Sequence, residues 1–169
     1  MIKHIIAFNF FVFMMLHANA QNSEVDSLYA TLKNWQQKRG SAIYSLKDSV
    51  EVRLLNSLSA YYQPINPDTS FYFAKRAMEI SETIDDEYGV CMAYFNYGKY
   101  RYFKGEPKKA IPFFEKALLG FKKFNSTNEL GETYRNLGIN YVLLNDFIPA
   151  IESLNAALIP LRQSGDSIK

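Results

Sequence analysis

Histidine and cysteine are almost missing from this sequence. Its 169 residues hold two histidines, His4 and His17, and one cysteine, Cys91. Both histidines lie in a leader-like stretch. Lys3 and His4 make a short basic start, residues 5–16 are an apolar run broken only by Asn9, and Ala18-Asn19-Ala20 fits a small-x-small cleavage site. That is the pattern of a secretory signal peptide. The run is short of the ~20 residues that span a bilayer, so cleavage is expected over a retained anchor. Residues 1–20 are therefore expected to leave, with Gln21 opening an exported mature chain that has no histidine. Ser-His and Cys-His pairs, an imidazole base and a histidine phosphoacceptor are then excluded. One cysteine makes neither an internal disulfide nor a Cys-rich zinc site, and no lipobox cysteine follows the cleavage site. Cys91, between Val90 and Met92, is expected to be buried. No catalytic residue, cofactor or metal is predicted, and the chain is read as not an enzyme.

Charge of one sign is also lacking. Nineteen Lys and Arg stand against 17 Asp and Glu, a net charge of +2, so no nucleic-acid partner is implied. Gly and Pro are sparse outside turns, which argues against disorder. Aromatic residues are abundant instead, with 12 Tyr and 13 Phe.

The sequence states one pattern twice. Tyr94, Asn96, Gly98, Ala110, Ile111, Ala117 and Leu118 recur forty residues later as Tyr134, Asn136, Gly138, Ala150, Ile151, Ala157 and Leu158. The same step backwards reaches Leu54, Asn56, Leu58, Ser70, Ala77 and Met78, a degenerate copy. A fixed period of this size marks a repeat architecture. Within the last copy, Tyr134, Leu137-Gly138 and Tyr141 are followed by Ala150, Leu154 and Ala157. This resembles the tetratricopeptide repeat, in which small residues sit where two helices cross closely and large ones fill the space beside them. The middle copy departs from it at Tyr97 and Arg101. The usual unit is 34 residues; the longer one resembles the variant in sensor regions of bacterial signalling proteins.

The resemblance implies an all-α fold, a right-handed superhelical array of antiparallel helix pairs. The expected organisation is a capping helix and linker over 21–47, a degenerate repeat at 48–86, repeats at 87–126 and 127–166, and the start of a further repeat at 167–169. The capping helix is expected over 23–39, with Leu28, Leu32 and Trp35 on one face and Gly40 as a stop. Asp48 and Asp68 are expected to cap the two helices of the first copy. The acidic run Asp85-Asp86-Glu87 reads as a solvated linker that is favourable at the N-terminus of the next helix. Helices are expected at 87–104, 107–123, 128–144 and 147–163, with Pro160 bending or ending the last. The chain stops where another first helix would begin, so it is expected to be the front of a longer protein whose remaining part anchors it to a membrane. The uncovered end of the array is a second expected contact, for self-association.

By resemblance, the first helix of each pair lines a concave groove that binds a protein or peptide. Candidate groove residues are Asn96, Lys99, Tyr102, Arg135, Asn136 and Ile139, with Met92, Phe95, Phe103, Glu132, Val142 and Leu143 around them. Asn56, Asn96 and Asn136 share one phase. Their amides either grip an extended backbone or hold helix pairs in register, since the same donors and acceptors serve both. The family's clamp for C-terminal carboxylates is absent, because its Lys/Asn positions hold Phe95/Lys99 and Arg135/Ile139. The expected role is an exported scaffold at the periplasmic or outer face of a bacterial membrane, forming the sensor part of a histidine kinase or transcriptional regulator. A free adaptor that self-associates and a small-molecule binder using Glu132, Tyr134 and Tyr141 are the alternatives.

Overall fold

The computed structural model describes residues 23, 25–34 and 44–164. The expected leader at 1–20, Trp35, Gly40 and the segment after Ser164 lie outside the described residues. Residues 25–34 form a helix, α1, whose Val25 and Leu32 are buried and whose Leu28 lies on the same face, half-buried. This segment belongs to a compact unit that ends at Ala42.

The second unit holds six helices: α2 (Tyr44–Tyr62), α3 (Pro67–Thr83), α4 (Glu87–Phe103), α5 (Pro107–Lys123), α6 (Thr127–Leu143) and α7 (Phe147–Ser164). Among the described residues there is no strand. Four helices, α3 to α6, are each 17 residues long. The helices from α3 onward begin exactly twenty residues apart, so the forty-residue repeat is built from two halves of equal length.

The turns explain that regularity. Asp85, Gly105, Asn125 and Asn145 all have positive φ, at 55°, 71°, 52° and 59°. Each sits in the middle of a three-residue turn. The following amide reaches back five residues in every case: Asp86 to Ser81 O at 2.8 Å, Glu106 to Arg101 O at 2.9 Å, Ser126 to Phe121 O at 3.0 Å and Asp146 to Tyr141 O at 3.0 Å. Gly105, Asn125 and Asn145 also donate to Tyr102, Lys122 and Val142 carbonyls. This is the Schellman ending, which satisfies carbonyls that a helix terminus would otherwise leave open.

Several local expectations are corrected here. Asp48 lies inside α2 and does not cap it. Asn66, not Asp68, caps α3 by accepting from the Thr69 amide, with Pro67 opening the helix and Asp68 in its first turn. Asp85-Asp86-Glu87 is more than a solvated linker, since Asp85 takes the left-handed turn position and Asp86 caps α4 by accepting from Gly89. Pro160 does not end α7, which continues to Ser164. Its missing N–H costs the single bond to the Ala156 carbonyl, and only one turn follows it.

One part of the core lies between α4, α5 and α6. Cys91, Phe95, Ala110, Phe114, Ala117, Phe121 and Leu137 form one buried cluster, and Tyr94, Tyr134 and Tyr141 pack against it. Phe95 meets Phe114 and Phe121 edge-on, with ring centroids 5.8 and 6.2 Å apart. Gly98 faces the Phe114 ring and Gly138 faces Leu154 and Ala150. Ala150 and Ala157 are buried as Ala110 and Ala117 are. The small and aromatic repeat positions thus meet as crossing partners.

Candidate peptide-binding groove

The arrangement of helix contacts gives the second unit its curvature. Consecutive helices pack together, α2 also touches α4, and α4 touches α6. Among the described residues, no such contact joins α3 to α5 or α5 to α7. The even-numbered helices therefore approach each other along the inner side while the odd-numbered ones diverge outside. The candidate residues all lie on α4 and α6.

The asparagines of shared phase turn inward. Asn96 is 1% exposed. Its Nδ2 donates to Asn56 Oδ1 at 2.9 Å, and its Oδ1 accepts from Gln63 Nε2 at 3.0 Å. A buried amide relay thus links α2 to α4. Asn136 is also buried, but its Nδ2 donates to the Glu132 carbonyl at 2.7 Å, within its own helix. Asn140, one turn on, donates to the Asn136 carbonyl. Two of the candidate groove residues are thus engaged within the helix packing. Gln63 went unnoticed in the sequence because it has no periodic counterpart: forty residues on stands Phe103.

This difference predicts unequal costs. Asn96→Ala should destabilise the fold by ~1–3 kcal/mol, because it strands two buried polar partners. Asn136→Ala should cost less, since it frees only one carbonyl of its own helix. Urea unfolding of the two variants compares them directly.

The remaining candidates lie on α4 and α6, where Lys99 feels the charges of Glu132 and Arg135. Lys99 is half-buried, with its ammonium 5.5 Å from the Phe95 ring centroid. Burial pushes its pKa down, opposed by nearby Glu132 and reinforced by Arg135. Lys99 makes no ion pair among the described residues, whereas Arg135 and Glu132 pair with each other at 2.5 Å. Tyr102 and Ile139 are half-buried, and Val142 and Leu143 are exposed. The result is a partly desolvated cation beside apolar side chains, with a paired guanidinium at its edge.

The outer surface is different in kind. Lys104 pairs with Asp68 at 3.3 Å, Lys109 with Glu106 at 2.8 Å, and Lys123 with Glu87. Three lysines on α5 and the turn before it are thus matched by nearby acids. Glu132, Tyr134 and Tyr141 do not form a common polar site: Glu132 pairs with Arg135, Lys122 lies over the Tyr134 ring, and both tyrosines pack on the core cluster. Among the described residues, no group of acids, Cys or His has the arrangement of a metal site, and no helix is long and apolar enough to cross a membrane.

Two tyrosines link the packing to pH. Tyr88 donates to Glu129 Oε1 at 3.0 Å, and burial together with that carboxylate pushes its pKa up from 10.0 to about 12. Burial, with the charges of Glu79 and Glu82, raises Tyr97 likewise to about 12. Because the folded values are raised, the neutral phenols contribute stability that is complete below pH 10 and lost as pH rises through about 12. Alkaline unfolding should begin in that window and weaken in the Tyr88→Phe/Tyr97→Phe double variant, as read by circular dichroism against pH.

No protein-family model matches the sequence, and no curated protein matches it. Structure comparison succeeds where these do not, with 14 solved chains matching the fold. One is the crystal structure of the TPR domain of Arabidopsis FLU, at a TM-score of 0.60 and 18% identity, covering 69% of this chain and 98% of that one. Stacked helix pairs, small residues at their crossings and this similarity together establish that the chain has the tetratricopeptide-repeat fold.

Proposed function

We propose that this chain is an exported, non-enzymatic scaffold that binds an extended protein segment along α4 and α6. The observation that carries the reading is Lys99, a half-buried cation with no ion-pair partner among the described residues, set over Phe95 and within the field of Glu132 and Arg135 on α6. A segment bearing a carboxylate beside an apolar side chain would restore the charge partner that burial has removed and cover the apolar surface. Arg135 would hold the segment's edge. The buried Asn96 serves this surface by fixing α2 against α4, and Asn136 by anchoring within α6.

A peptide library displayed on a surface and probed with the purified chain tests this. Bound sequences should combine acidic and apolar residues, and Arg135→Glu should weaken them about tenfold or more, the loss expected when a charge pair is reversed. Unchanged binding by Arg135→Glu and Lys99→Met together would remove the groove from the account.

The signal-peptide pattern and the long repeat support a placement at the outer face of a bacterial membrane, as the sensor portion of a larger signal-transduction protein. An immunoblot of the source cells separates this from a free periplasmic adaptor. A membrane-associated band much larger than the chain fits the sensor, and a band of the mature length fits the adaptor.

A further inference from the structure

The last helix carries a face that the repeat uses for packing elsewhere. In the middle copy, Ile111, Phe114 and Leu118 of α5 belong to the cluster that α6 joins through Leu130, Tyr134 and Leu137. Forty residues on, the same positions are Ile151, Leu154 and Leu158. Phe114 is 0% exposed, but Leu154 is 38% and Ile151 60% exposed; Ile148, one turn before, is 74% exposed. Among the described residues α7 packs on α6 alone. With Leu144 and Phe147, also exposed, this face presents on the order of 600 Å² of apolar surface, the upper range for a monomer's largest patch and close to the ~800 Å² each partner gives a standard interface.

Charge and shape narrow the occupant. α7 carries only Glu152 and Arg162, whereas α5 carries Lys108, Lys109, Lys116, Lys122, Lys123 and Glu115. Two α7 faces therefore meet without net charge between them. Among the described residues of α2 whose burial is defined, the exposed ones, Arg53, Ser57 and Ala60, offer no large apolar side chain for head-to-tail stacking. A like-with-like contact closes on itself about a twofold axis.

We propose that the outer face of α7, centred on Ile148 and Ile151, is the contact of a twofold dimer of this chain. The dimer is independent of the groove reading, since neither Lys99 nor Arg135 takes part. It is tested by light scattering on the purified chain across a wide concentration range. The unchanged chain should rise from monomer mass to twice that mass. Ile148→Lys and Ile151→Lys should each stay monomeric, with helical circular dichroism retained because both side chains are exposed. Leu119→Lys, equally exposed on α5, should dimerise as the unchanged chain does. A monomer at every concentration, as expected if a further repeat or another protein covers α7, overturns the proposal. So does a dimer that survives both α7 substitutions, or a mass that keeps growing beyond two copies.

Discussion

Phe114→Ala should cost the fold ~3–5 kcal/mol, the range for emptying a buried aromatic site. Phe114 is fully buried at the centre of the α4–α5–α6 cluster and touches Phe95 edge-on. Its other side rests where Gly98 has no side chain, and a Cβ there would lie 2.7–2.9 Å from three ring atoms. The ring fills the gap that the glycine leaves, so removing it opens a cavity the crossing helices cannot close. Against a typical total of 5–15 kcal/mol, that loss is large enough to leave a substantial unfolded population. Leu154 occupies the same repeat position but is part-exposed, so Leu154→Ala should shift the urea midpoint far less. Equal shifts in the two variants would mean that the copies share stability evenly and that the central cluster has no special weight.

Gly120→Ala is expected to destabilise although alanine is the better helix former by ~1 kcal/mol. Gly120 lies in α5 against Cys91 of α4, and an added Cβ would overlap the Cys91 sulfur. Overpacking of this kind costs typically ~1–3 kcal/mol and outweighs the propensity gain. Cys91→Ala removes the sulfur, so the double variant should recover much of the loss, with a coupling of roughly 0.5–3 kcal/mol. A double variant no better than the sum of the singles would show that the strain lies elsewhere. The same contact accounts for the thiol's chemistry. Burial pushes the Cys91 pKa up, so native protein should react with thiol reagents only as fast as it opens.

Much of the fold was legible in the sequence because its contacts depend on residue size. Gly98 and Gly138, Ala110 and Ala150, and Ala117 and Ala157 recur at forty residues because a helix crossing admits nothing larger there. The helix limits followed from the same phase, to within a residue for α4 to α7. The turn residues behind the twenty-residue half-period were not legible as a motif, because Asp85, Gly105, Asn125 and Asn145 have no single side chain in common. They share only tolerance of a left-handed backbone, for which Gly, Asn and Asp are the usual choices. The helix phase placed Lys99 and Tyr102 on α4 and Arg135 and Ile139 on α6, but the direction of an amide depends on what faces it. Asn96 is drawn inward by Gln63 and Asn56, and Gln63 lies outside the repeat pattern.

The contacts that shape the array also decide how it comes apart. Among the described residues of α2 to α7, no helix touches another more than two places away along the chain, and α7 touches α6 alone. Nothing distant in sequence has to meet before neighbouring hairpins reward each other, so the chain belongs with rapid, local folders. Unfolding of the array has a direction for the same reason. A stack held only by neighbours loses its outermost member first, and pulling on the carboxyl end would release α7, then α6, as successive short extensions and not as one rupture.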